Sequence, residues 1–293
     1  MVETTNSDGS LKRYLILVWY IGTDFSGSQR QPNKRTVEGE LLRALIATKY
    51  ISDPVSGNFK AAARTDAGVH ALEAGFCFNT SKPFHIRQLD SYLAQDLGVH
   101  AWVEVPLEFY PRWEVDWKEY RYVYWKSSEN ASALNFPLMV EAMHLFEGTH
   151  DFRLFMKTDL SKKSKQTEMC MERALLEEKD GCLLFTFRSR FFLWQQIRRM
   201  VSFLLKVGKT NRTLADLTLQ LTPDHPQNTS ARRDPPHTPG GLTLWITHFA
   251  DVSPFHIDER CSYRRQVSFR SYAQTLFQRA QSLQYMFDLG DGL

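Results

Sequence analysis

Hydrophobic and polar positions run through this chain in two rhythms, one of strands and one of helices. After a polar tail over residues 1–12, RYLILVWYIG reads as a buried strand, a β-branched and aromatic run that stops at Gly22. The polar loop GTDFSGSQRQPNKRT follows. Thr36 then stands as a helix N-cap, with Val37, Leu41, Leu42, Leu45 and Ile46 recurring at helical spacing behind it. Asn58 to Ala63 and GFCFNT are two further strands. Ile86, Leu89, Leu93 and Leu97 predict an amphipathic helix that stops at Gly98, and HAWVEV returns as a strand before Pro106. The order is β-α-β-β-α-β, that of a ferredoxin-like unit.

The second half repeats the plan. EYRYVYWK is a strand, the region of Met143 a helix, RALLEE and CLLFTFR two strands, LWQQIRRMVSFLLKVG a helix and GLTLWITHF a last strand. The expected fold class is α+β: two such halves forming one continuous, mainly antiparallel sheet, with helices on one face and a cleft between the halves. Residues 13–105 and 106–250 are the expected subdomains. A helical extension over 251–293 carries a stripe of Tyr272, Leu276, Phe277, Ala280, Leu283 and Met286. DLSKKSKQTE and the Pro-rich TPDHPQNTSARRDPPHTPGG read as loops, and GTHDFRLF as a structural turn capped by Asp151 or Thr149.

Composition narrows the class without naming a function. A chain of 293 residues, 43% hydrophobic and 13% aromatic, is globular. Cys77, Cys170, Cys182 and Cys261 lie far apart with no C-x-x-C pair, which points away from a disulfide framework or a zinc knuckle and toward a reducing compartment. No apolar run approaches the roughly 18 residues that span a bilayer. The expectation is a soluble, cytoplasmic protein. A formal charge of +3 is too mild to specify a partner, so the distribution of charge carries more than its sum.

That distribution is uneven. From Gly181 through Arg212 the chain carries Arg188, Arg190, Arg198, Arg199, Lys206, Lys209 and Arg212 with no acid, interleaved with Phe191, Phe192 and Trp194. This is the composition of a phosphate-tracking, base-stacking surface, and also of a solvated helix face. On a helical wheel Gln195, Arg199, Ser202 and Lys206 form the wet side. Arg198 falls at the edge of the apolar face, where a guanidinium either snorkels to water or meets a carboxylate. SGSQRQPNKR adds Arg30, Lys34 and Arg35 as a hairpin turn or a phosphate grip. Alternation in EYRYVYWK sends Tyr120, Tyr122 and Tyr124 to one face, as core or as stacking groups. Asp66 lies among small residues in AAARTDAGVHA, as a turn residue or as an acid in a roomy pocket. No phosphate loop, nucleophile elbow or metal-ligand spacing is present.

ARTDAGVHA closely resembles the signature loop of the TruA-type tRNA pseudouridine synthase family. YIGTDFSGSQRQ, the Y-R-Y of EYRYVYW, FLWQQIRRMVSFLLKVG and PGGLTLW resemble its other motifs in the same order, over roughly residues 13 to 250. The form LWQQIR is similar to the archaeal and eukaryotic branches. The resemblance implies conversion of uridine to pseudouridine in tRNA, without metal or organic cofactor, in the anticodon stem-loop at positions 38 to 40 of the tRNA. It implies Asp66 as the catalytic carboxylate, Arg198 as its partner, and Tyr120 against the target base, assisting removal of the C5 proton. Arg64 would fill the space left by the flipped uridine and Leu242 would pack on its ring. Arg30, Lys34, Arg35, Arg112 and Arg199 are the expected RNA contacts, and a homodimer the expected assembly. Ser28, Ala63, Tyr110 and Pro111 depart from the family's usual residues. Beside this stand a catalytically silent RNA-binding protein on the same fold, a synthase acting on other uridines, and a hydrolytic N-glycosidase, against which the missing second acid argues.

Overall fold

A computed structural model describes residues 9–126, 134–158, 166–222, 224 and 233–290. Its first half runs β1 (Lys12–Tyr20), α1 (Val37–Ala47), β2 (Lys60–Ala61), β3 (His70–Thr80), α2 (Ile86–Asp90) and β4 (Leu97–Val105), in the expected order. β1 is central and buried on both faces, hence its unbroken apolar sequence. Thr36 caps α1 by accepting from the Gly39 amide at 3.2 Å.

The second half runs β5 (Trp117–Trp125), α3 (Phe136–His144), β6 (Gly148–Asp151), β7 (Glu168–Met171), β8 (Arg173–Lys179), β9 (Cys182–Ser189), α4 (Gln196–Gly208), α5 (Leu214–Leu221), β10 (Leu242–His248), β11 (His256–Ile257) and α6 (Glu259–Gly290). One nine-stranded sheet takes the order β11-β4-β1-β3-β10-β5-β9-β8, with β2 beside β3; β6 and β7 form a separate pair. Every pairing is antiparallel except the seam of β3 with β10, where Thr243 faces His70 and Leu244 faces Ala71. The seam joins the halves. Its parallel direction brings the start of β10 level with the loop that precedes β3.

Tyr14, Ile16, Val18 and Tyr20 of β1 share one large core with apolar residues of α1 through α5, so these helices cover the same face of the sheet. Leu15 and Leu17 face the other way, toward Cys77, Val103 and Phe249. α6 departs from the one-sided plan. Its Arg264 and Phe269 lie against Trp19, and its Arg265 reaches His100, on the face that α1 leaves bare. No helix among the described residues is long and apolar enough to cross a membrane.

Several boundaries differ from the expectation. α2 ends at Asp90 rather than near Leu97, because the Asp90 carboxylate accepts from the Val99 amide at 3.1 Å and pairs with Arg264, turning the chain into β4. β3 begins at His70, well before GFCFNT, and β2 is only two residues. α4 starts at Gln196, since Gln195 takes a left-handed φ of 63° and the Gln196 side chain accepts from the Leu193 amide at 2.8 Å. α4 is also buried nearly all round. Ser202, expected on the wet side, is buried. α5 was not expected, although Thr213 and Asp216 form a full capping box. GTHDFRLF holds β6 and a short 3-10 turn, with Asp151 accepting from the Arg153 amide. Residues 1–8, 127–133, 159–165, 223, 225–232 and 291–293 lie outside the described residues, so most of the loop read over DLSKKSKQTE and part of the Pro-rich segment fall there.

Candidate active site

The loop between β2 and β3 carries Asp66, and small residues let other chain segments close on it. A Cβ on Gly22 would come within 2.1 Å of the Val69 carbonyl oxygen, so only glycine allows that approach. Gly68 has a φ of 80° and faces the Pro239 ring, where a Cβ would lie 2.8 Å away. Three hydrogen bonds then fix the loop from the side of β1. The Thr65 amide donates to Ser28 Oγ at 2.8 Å, the Ser28 amide donates to the Thr65 carbonyl at 3.1 Å, and Thr65 Oγ1 meets the Tyr20 hydroxyl at 2.8 Å. Asp66 is held at a defined place.

Its carboxylate meets two donors from the far half of the molecule. Arg198 Nη1 donates to Oδ2 at 2.9 Å and Trp194 Nε1 donates to Oδ1 at 3.0 Å. The side chains of Arg198 and Asp66 are 12% and 21% exposed, so the pair is sheltered yet reachable. Arg198 Nε also donates to the His237 carbonyl at 2.7 Å, while the His237 amide donates to the Arg198 carbonyl at 2.9 Å. This reciprocal pair fixes the guanidinium. Trp194 comes from the turn before α4 and owes its direction to the left-handed Gln195; its indole is 42% exposed, with Lys157 Nζ 4.3 Å from the ring centre.

Tyr120 of β5 is 6% exposed, with Phe192 edge-on at 5.1 Å, and among the described residues its hydroxyl has no hydrogen-bond partner. Burial first, then the neighbouring Tyr20 and Asp66, push this phenol far above the ordinary tyrosine value, so it stands protonated. A protonated phenol can wall a pocket and pass on a proton, but it is not a phenolate base. Leu242 opens β10 directly across from Tyr122 and is buried. The Tyr122 hydroxyl meets His237 Nδ1 at 2.5 Å. Burial, then the Arg198 and Lys209 cations, hold His237 below the ordinary histidine value. Sequence reading missed both Trp194 as a carboxylate donor and His237 as an anchor. Among the described residues, no cluster of side chains could hold a metal ion.

A profile of the family described as tRNA pseudouridine synthase matches residues 142–249. A protein of Thermococcus onnurineus described as tRNA pseudouridine synthase A is 31% identical over 92% of this chain and 96% of its own length. The chain belongs to the tRNA pseudouridine synthase A family. Relatives of the same description from Methanosphaera stadtmanae and Methanosarcina barkeri are 34% and 37% identical, over 73% and 72% of this chain and 76% and 77% of their own lengths. A solved structure described as a pseudouridylate synthase overlaps 66% of this chain and 56% of its own at 12% identity, with a TM-score of 0.26, too loose a match to carry weight.

Against this tRNA pseudouridine synthase A background, the cations expected to touch RNA divide into two sets. Arg30, Lys34, Arg64 and Arg112 are exposed, and none makes an ion pair among the described residues. Arg35 and Arg199 are committed inside the protein. Arg35 grips Asp96 with two bonds of 2.7 and 2.8 Å and lies over Phe25, and Arg199 donates to the Asp234 carbonyl at 2.7 Å. Four of the seven cations in the acid-free stretch from Gly181 to Arg212 are paired with acids from elsewhere. Glu119 takes Arg188, Asp66 takes Arg198, and Asp234 takes Lys206 and Arg212. Ser28, one of the departures from the family's residues, has a structural task as the acceptor that positions Thr65.

Proposed function

We propose that this protein isomerises uridine to pseudouridine in tRNA, with Asp66 as the catalytic carboxylate. The observation that carries the reading is the clamp on Asp66, a single carboxylate held by Arg198 and Trp194 beside a protonated Tyr120 with a free hydroxyl. In the reaction the N1–C1′ bond breaks, the uracil turns, C5 bonds to C1′, and the proton that leaves C5 is balanced by one gained at N1. Such chemistry requires the nucleotide to leave its stack, which costs a few kcal/mol. Tyr120 and Leu242 form apolar walls for the extruded ring, and exposed Arg64 stands ready to fill the space behind it.

The two oxygens of Asp66 have unequal surroundings. Oδ2 is bound by the sheltered Arg198, and Oδ1 by the more exposed Trp194. Oδ1 is therefore the oxygen that meets the ribose, either attacking C1′ or taking a ribose proton, while Arg198 keeps Oδ2. The exposed cations Arg30, Lys34, Arg64 and Arg112 supply phosphate contacts around the cleft. We further propose the anticodon stem-loop as target, action in the cytoplasm, a homodimer as the working form, and 13–105 and 106–250 as the two subdomains.

Unmodified tRNA transcript incubated with the protein and no added cofactor should acquire pseudouridine, mapped chemically. Asp66→Asn should abolish this while changing tRNA affinity by less than about threefold. Identical pseudouridine maps from wild type and variant would overturn the reading.

A further inference from the structure

A second basic group lies on the face of β5 that carries Tyr120, and the reaction chemistry does not use it. Alternation along the strand turns Trp117 and Glu119 to the opposite face, where Trp117 stacks on His248 at 4.7 Å and Glu119 binds Arg121 and Arg188. Lys118 therefore points the same way as Tyr120, two residues and about 7 Å along the strand. It is 6% exposed. Among the described residues its ammonium has neither a hydrogen bond nor an ion pair, although a buried charge without a partner is strongly unfavourable. The Arg112 cation, of the same sign, acts on it through space.

The surroundings of Lys118 extend the pattern. Thr247 of β10 faces it directly in register, and this threonine is 3% exposed with its Oγ1 unpaired within the protein. On the other side Ser189 of β9 is in register as well, but its hydroxyl is spent on the Cys170 carbonyl at 2.7 Å. Arg112, whose charge acts on Lys118, is exposed and makes no ion pair among the described residues. Lys118 and the Thr247 hydroxyl thus lie side by side within electrostatic reach of Arg112, and among the described residues none of the three groups binds a carboxylate. Burial and the Arg112 cation also lower the Lys118 ammonium to about 8, as an uncompensated positive site requires. The sequence concealed this, because WKEYRYVYW reads as an alternating strand in which the lysine is one more polar residue.

We propose that Lys118, Arg112 and the Thr247 hydroxyl form a subsite for a backbone phosphate of the substrate RNA, adjacent to the extruded nucleotide. The inference rests on the proposed function for the identity of the ligand. An anion there would resolve the repulsion between the two cations and give the threonine an acceptor. A phosphate fixed one step along the strand from Tyr120 would also anchor the register of the RNA against Asp66 without reading its sequence.

The test uses Lys118→Met, which keeps the length of the side chain and removes its charge. Because that charge is unpaired in the free protein, the melting temperature should hold or rise. Affinity for unmodified tRNA should fall about tenfold, with a salt dependence shallower by roughly one phosphate contact. A short RNA with a neutral methylphosphonate next to the target uridine should bind wild type about tenfold more weakly than the natural RNA, and should lose nothing further against the methionine variant. A lower melting temperature, or equal affinity and salt slope in wild type and variant, would overturn the subsite. Failure of wild type to form pseudouridine would sink the proposed function instead, and leave the subsite to be judged by these binding measurements.

Discussion

At the scale of single residues, Asp66 is governed by which atom donates to which oxygen. Arg198 is a charged donor fixed from behind by His237, whereas Trp194 is a neutral donor on an exposed ring. Removing the indole N–H while keeping the ring separates hydrogen bonding from packing. Trp194→Phe should lower kcat about tenfold, about 1.4 kcal/mol of barrier, with little change in tRNA affinity. Single-turnover kinetics would show this, and an unchanged kcat would mean that the bond is incidental to the chemistry. The Asp66–Arg198 pair was legible only through the family resemblance, since helical periodicity alone left Arg198 to snorkel to water or to meet a carboxylate. Trp194 was not legible. Its contact depends on a left-handed Gln195, a conformation that residue type alone does not announce.

At the scale of elements, the site is built where loops meet the β3–β10 seam. His70, the first residue of β3, ties these loops together. Its Nδ1 accepts from the Gly22 amide at 3.0 Å, and its other nitrogen serves the Gly240 backbone. Burial lowers this imidazole below 6.5, so the unfolded chain takes up its proton first as the solution is acidified. The stability that His70 contributes is therefore full above 6.5 and drains away as pH falls from there toward the lower folded value. Urea midpoints should decline as pH falls below about 6.5, and more steeply for wild type than for His70→Gln. Equal slopes would show that His70 is not protonated on unfolding in that range.

At the scale of the whole molecule, α6 is held by its first turns and bare further on. Cys261 is buried, and Arg264 caps the carbonyls of Leu93 and Leu97 at 3.2 and 2.8 Å. Tyr272 still touches Thr23 and packs 5.7 Å from His70. Beyond it Leu276 and Phe277 are 45% and 64% exposed, so the stripe read as a packing face is open to solvent at these two positions. Exposed apolar side chains of this size on a basic helix suit contact with a second copy. If the homodimer uses them, Leu276→Glu combined with Phe277→Glu should convert the protein to monomer in sedimentation at unchanged melting temperature of the protomer. A variant that sediments like wild type would remove this face from the interface.

The element order of the first half and the N-cap of α1 were readable from local pattern, because hydrophobic period and side-chain chemistry act within a few residues of their position, and the family and the candidate acid were readable from the resemblance of the loop around Asp66. The pairing of distant segments was not. The acid-free run after Gly181 read equally as a nucleic-acid surface or a solvated helix face, yet Glu119, Asp66 and Asp234 reach it from other strands and loops and pair four of its seven cations. Lys118 looked ordinary, yet the folded sheet buries it beside another cation. Charge is felt across space, so composition along the chain determined which groups were present, and only the tertiary structure decided which of them are neutralised and which await a ligand.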